Sequence, residues 1–352
     1  MTKIKFFLGF IVMLSIGWMI YFNNTSQQEE SPINVKELTK DDVTIVSNNN
    51  KNLNEFNTIE NADTSTVYTL GLDFIPDQNE ISMEEDYITP YLLLKNGSSD
   101  VIRGTYVIES GKEGNKISLV ALQGLQNAKI RPRNSEEWCS SLIVLYEKNS
   151  QTEVDIEISW DSNQSQKDLF IIPLDHGMNN YHNDSFIGSA RAPVFLNKPD
   201  ISKELIDKQS SLIQKDLPQN RYPNARLADG DKQIIHTVFD NGKTYLTKPF
   251  TYLKLESVPY DDTISLLLID ETGKIDVLEK ELQIKAGKET YVDLSKIPSI
   301  LETADKKKYI FLANNFNEES LADFKAVEQN KKPFFTTFHI LIELFPQQQL
   351  KK

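Results

Sequence analysis

The chain has 352 residues, a formal net charge of −13, four histidines and a single cysteine. That acidic balance repels phosphate backbones and speaks against nucleic-acid binding or a resting place on anionic lipid. One thiol rules out an internal disulfide framework, and the length leaves room for two domains that must rely on their own cores.

Residues 6–22 read FFLGFIVMLSIGWMIYF without a charge. As a helix this run covers about 25 Å, close to the roughly 30 Å hydrocarbon core of a bilayer. Ile4 extends it, and Lys5 can reach back to the headgroups. Trp18 and Tyr21 fall where amphipathic rings prefer the interface. Lys3 and Lys5 precede the run and the first charges after it are Glu29 and Glu30. This asymmetry puts the N-terminus in the cytoplasm and the bulk outside. Residues 1–24 therefore read as a signal anchor, with the bilayer as the first partner. The competing reading is cleavage after Gly17, which shares a small-residue spacing with Ser15 and would release a secreted chain. Apolar residues continuing to Phe22 count against it. An exported chain so poor in cysteine suits a bacterial envelope that does not use disulfides.

Residues 25–64 are polar and asparagine-rich and read as a flexible stalk, with partial order or an edge strand near Val43–Val46. Residues 65–196 switch to period two. Val154, Ile156, Ile158 and Trp160 alternate with Glu153, Asp155, Glu157 and Ser159, the last group reading as a solvated face. Asn96-Gly97 marks a turn between two strand-like runs. Roughly seven or eight such runs predict an antiparallel sandwich.

Residues 197–230 predict a connector: Ile201, Leu205 and Leu212 share a helical face, and Pro218 and Pro223 end it. Residues 231–352 predict a second sandwich. Asp240-Asn241-Gly242-Lys243 is its clearest hairpin signal. A helix is expected near 317–329, capped by Asn317. The stretch 336–345, apolar on both faces, predicts a central strand. The fold class expected is thus mostly β: two antiparallel β-sandwich modules, Ig-like or jelly-roll-like, with a connecting helix, after one N-terminal transmembrane helix.

Catalytic motifs are not found. Each Gly-Lys pair lacks the upstream glycine of a phosphate loop, and each histidine lacks the following glutamate of a metalloprotease helix. Asp161-x-Asn163-x-Ser165 begins like a calcium loop but has Gln166 and Ile172 at the positions needing glycine and glutamate. His176, His182 and Asp184, following Asp175 in one irregular segment, are weak metal-ligand candidates, since imidazole and carboxylate suit a divalent cation. Arg221, Tyr222 and Arg226 are weak partner-binding candidates, Arg and Tyr being enriched at interfaces. Cys139, after Trp138 in an apolar run, reads as a small buried hydrophobe.

No cofactor is expected. The composition and layout favour a membrane-anchored, non-enzymatic interaction or accessory protein of the cell envelope, with a protein or glycan partner outside the cytoplasm. A glycan-binding sandwich is the alternative, for which Tyr245, Tyr252 and Tyr260 are the residues to inspect. A metal-dependent envelope hydrolase built on the His176–Asp184 segment ranks last.

Overall fold

Alternating sequences give alternating burial in some strands, and continuous burial replaces it in others, in the computed structural model, which describes residues 33–47, 70–79, 81–84, 91–95, 100–110, 115–147, 150–164, 168–175, 190–199, 216–217, 220, 222–240, 243–297, 300, 307–315 and 338–344. Residues 6–22, most of the expected connector helix, and the expected helix at 317–329 lie outside them. Among the described residues no helix is long and apolar enough to cross a membrane.

The described residues between 34 and 195 supply thirteen strands. They are β1 (Val35–Glu37), β2 (Thr44–Ser47), β3 (Leu70–Pro76), β4 (Ile81–Glu84), β5 (Tyr91–Leu94), β6 (Val101–Ser110) and β7 (Asn115–Gln123). After them come β8 (Gln126–Ala128), β9 (Ile130–Pro132), β10 (Ser141–Tyr146), β11 (Ser150–Ser159), β12 (Asp168–Asp175) and β13 (Ala190–Phe195). They form an eight-stranded sheet, β1-β10-β7-β12-β13-β5-β4 with β8 beside β7, and a five-stranded sheet, β2-β11-β6-β3 with β9 beside β11. The first is mixed rather than purely antiparallel, because β1 runs parallel to β10 and β13 parallel to β5. Neither pair is joined by a hairpin, so nothing local imposes the antiparallel sense.

Two expectations change here. Part of the segment assigned to the stalk, residues 34–47, adds β1 and β2 to the two sheets. β5 and β6, on either side of Asn96-Gly97, lie in different sheets and do not pair with each other.

Residues 225–344 supply β14 (Ala225–Ala228), β15 (Thr237–Asp240), β16 (Lys243–Leu246), β17 (Tyr252–Leu255), β18 (Asp262–Asp270), β19 (Ile275–Ile284), β20 (Thr290–Asp293), β21 (Lys308–Asn314) and β22 (His339–Leu344). They form a three-stranded sheet β14-β17-β20, a four-stranded sheet β19-β18-β21-β22 and the β15–β16 hairpin. In that hairpin Asp240 pairs with Lys243 across Asn241-Gly242, as the turn chemistry requires.

Three apolar clusters hold the sheets together. The first lies between the five- and eight-stranded sheets and includes Tyr106, Ile156, Leu119 and Leu142. The second lies between the three- and four-stranded sheets and includes Leu227, Leu253, Leu266 and Leu312. The third joins the eight-stranded sheet to the four-stranded sheet: Val120, Phe170 and Ile172 meet Leu267, Tyr309, Phe311 and Leu341. β7 thus buries Leu119 and Ala121 on one face and Val120 and Leu122 on the other. β18, β21 and β22 are likewise covered on both sides. This explains why β22 is apolar on both faces although, against expectation, it lies at the edge of its sheet.

Polar contacts fix the same seam. Arg191 of β13 is almost wholly buried and pairs with Asp168 at 2.6 and 3.2 Å. Its other hydrogens go to Asn314 Oδ1 and the Phe338 carbonyl, both at 2.7 Å, and to the Asn314 carbonyl at 2.8 Å. All five guanidinium N–H groups are therefore satisfied. At a second point the β18–β19 turn rests on β10 and β8. Ser141 Oγ donates to the Thr272 carbonyl at 2.9 Å and Asn127 Nδ2 to the Gly273 carbonyl at 3.0 Å. A side chain at Gly273, whose φ is +81°, would collide with the Ser140 carbonyl.

Candidate functional site

The three-stranded sheet has one face in a core and one turned away from it. Ala225, Leu227, Leu253 and Leu255 point inward. The pleat then sends Arg226, Tyr252, Lys254, Tyr291 and Asp293 to the other face. Register aligns them: Arg226, Lys254 and Tyr291 form one row across the three strands, and Ala228, Tyr252 and Asp293 the next. The Tyr252 and Tyr291 rings meet edge to face with centroids 6.2 Å apart.

Charges on this face are mostly paired. Lys254 Nζ lies 2.6 Å from Glu289 Oε1, and the Tyr291 hydroxyl donates to Glu289 Oε2 at 2.8 Å. The hydrogen bond to Glu289 raises the Lys254 pKa, and the bond from Lys254 lowers that of Glu289. The hydrogen bond donated to Glu289 also raises the Tyr291 pKa, since it holds the phenolic proton in place. Asp293 pairs with Lys296 at 2.9 Å and accepts from the Ser295 amide.

Lys232 differs. Its ammonium stands 4.7 Å from the Tyr291 ring centroid and 5.8 Å from that of Tyr252, within cation–π range. It is exposed and makes no ion pair among the described residues. It is also the one non-glycine residue with positive φ, at 63°, among those described. A tight turn puts it there: Lys232 N donates to the Asp229 carbonyl, while Asp229 Oδ1 accepts from the amides of Asp231 and Gln233. Holding a lysine in the left-handed region costs roughly 1–2 kcal/mol, which glycine would avoid.

The residues singled out in the sequence fare unequally. Arg226 belongs to this face, on a strand rather than in a connector loop. Tyr222 is apart from it, 45 % exposed, with its ring 6.4 Å from that of Phe338. Arg221 lies outside the described residues, as do His176, His182, Asp184 and the side chains of Asp175 and Tyr245. Among the described residues no group of three or more His, Cys, Asp or Glu side chains is placed to hold a metal. Tyr260 is unavailable to a ligand: it is 1 % exposed and packed in the second core. Tyr252 is on the outer face. Tyr291 and Lys232 were missed, because only the β17–β20 pairing and the Asp229 turn bring them beside Tyr252.

Two other places deserve comparison. On the five-stranded sheet Glu157 is buried, not solvated, and takes Arg103 at 2.7 Å and Arg131 at 2.6 Å. Burial pushes its pKa up, but the two guanidinium groups override this and hold the carboxyl below its usual range. Between β3 and β4 a cleft of about 470 Å³ is lined by Phe74, Ile75, Ile81, Met83 and Lys95. Lys95 is tied to the Gln78 carbonyl at 2.6 Å. Neither place sets an ammonium without an ion pair over two half-buried rings.

No protein-family model matches the chain, and no curated protein matches it in sequence.

Proposed function

We propose that the chain is a non-enzymatic accessory protein of a bacterial cell envelope that binds surface glycan through the outer face of its three-stranded sheet. In this reading residues 6–22 anchor it in the cell membrane, with the N-terminus cytoplasmic. Two sandwich modules, one on each side of a connecting helix, stand outside. The observation that carries the reading is the Tyr252–Tyr291 pair, bordered by Arg226, Lys254 and Glu289. Sugar rings pack their C–H faces on aromatic rings, and their hydroxyls take both donors and acceptors, which Lys254 and Glu289 supply. The test is retention of the full-length protein, in detergent, on isolated cell-wall polysaccharide. Loss of retention in Tyr252→Ala and Tyr291→Ala, with the melting temperature unchanged, is the expected result. Undiminished retention in both variants would sink it.

A protein partner is the second reading, favoured by exposed Tyr222 against Phe338. Photo-crosslinking from position 222 in the native membrane would recover a defined adduct under that reading, and monomer alone would count against it.

A further inference from the structure

We infer that the glycan bound at this face is acidic, and that Lys232 selects it by pairing with a sugar carboxylate beside the Tyr252 and Tyr291 rings. The inference rests on the glycan reading and names its ligand class. Three observations carry it.

The first is charge. Glu289 already has Lys254, and Asp293 already has Lys296. Lys232 is an exposed cation on this face that makes no ion pair among the described residues. In a chain of net charge −13, an exposed unpaired ammonium over two rings is a local exception. A polyanion of high density would be repelled by the rest of the protein. A ligand that brings a single carboxylate needs only the one cation.

The second is position. The ammonium lies above both rings at 4.7 and 5.8 Å. A carboxylate accepting from Lys232 is thereby held next to aromatic surface, where its own sugar ring can pack. Arg226 and Lys254 lie in the same row of the sheet as Tyr291.

The third is backbone conformation. Glycine would suit the φ of 63° at this turn, yet lysine occupies it. Strain held at a surface turn points to a use for the side chain.

The experiment uses the full-length chain in detergent at low salt, titrated with the methyl glycosides of galacturonate, mannuronate and N-acetylmuramate, each as free acid and as methyl ester. Esterification removes the charge and keeps the sugar. At least one acid form should bind at least tenfold tighter than its ester, and salt should weaken it. Lys232→Gly and Lys232→Asn should both erase that preference. Both residues tolerate the left-handed region, so the melting temperature should hold or rise. Equal binding of acid and ester would overturn the inference and leave the glycan reading standing. Persistence of the preference in both Lys232 variants would also overturn it. Binding of neither form of any sugar would overturn both.

Discussion

Arg191 of β13 donates to both the side-chain and main-chain oxygens of Asn314 in β21, at 2.7 and 2.8 Å, across the seam between the eight- and four-stranded sheets. Asn314 Oδ1 also accepts from the Phe338 amide at 2.8 Å, so one buried guanidinium organises the meeting of β13, β21 and the start of β22. Its face lies 5.0 Å from the Phe170 ring. The third apolar cluster and this polar knot thus act on the same seam, and together they hold the aromatic sheet face in a fixed relation to the strands of residues 34–195.

Removing one half of a buried pair is worse than removing both. Arg191→Met leaves Asp168 buried without its counter-charge and should lose about 3–5 kcal/mol of stability. The double variant Arg191→Met with Asp168→Leu should recover much of that loss. Urea midpoints of the three proteins check this; a double variant no better than the single would disprove it.

Asp262 lies near the same guanidinium. Burial pushes its carboxyl up to about 6, against the lowering effects of the Thr263 amide, Asn314 and Arg191. Its Oδ2 has no hydrogen-bond partner among the described residues. An unfolded aspartate titrates near 3.9. The folded state therefore holds this proton more tightly, and ionisation of Asp262 destabilises the fold. The penalty is full above about pH 6 and vanishes below about pH 4. Asp262→Asn should be the more stable protein at about pH 7.5, and the gap should close toward about pH 4.5. A gap independent of pH would show that the carboxyl is not strained by burial.

Much of this architecture is legible in period-two patterning, because a strand with one wet face writes its burial directly into the sequence. β11 shows it: Val154, Ile156 and Ile158 are buried, as alternation predicts. Glu157 is where the pattern misleads. Alternation puts it outward, but Arg103 of β6 and Arg131 of β9 come from neighbouring strands and cover it. Sheet order is hidden for the same reason. That β5 and β6 part into different sheets depends on contacts distant in sequence. The site was half visible: Tyr252 and Arg226 stand out as residue types, whereas Tyr291 and Lys232 acquire meaning only when strand pairing and a left-handed turn set them beside Tyr252.

Cys139 is buried in the first core and bridges to Ile130. Burial raises its thiol pKa, Glu137 adds to this, and Lys36 and Lys129 oppose it. Since the thiolate is the reactive form, the native protein should resist an aromatic disulfide reagent at neutral pH. One thiol should titrate after denaturation. Complete labelling of the native chain within minutes would contradict the buried placement.

Gly104 pairs with Pro76 of β3 and Ile156 of β11 in the middle of the five-stranded sheet. Its bare Cα lets the Phe74 ring lie across the strand: a Cβ built there would stand 2.5 Å from two ring carbons and 2.6 Å from the Ile75 carbonyl. Both the ring and β3 itself would have to move. Gly104→Ala should therefore cost roughly 1–3 kcal/mol, the range for overpacking a filled core. The ring is the larger obstacle, so adding Phe74→Leu should relieve part of the clash while leaving a smaller core of its own. Thermal denaturation of the two single variants and the double measures the coupling. The double should be more stable than the sum of the single losses implies, because each change makes room for the other. Strict additivity would mean that the Ile75 carbonyl, which no side-chain change removes, sets the cost, and that the glycine is required by the closeness of β3 rather than by the ring.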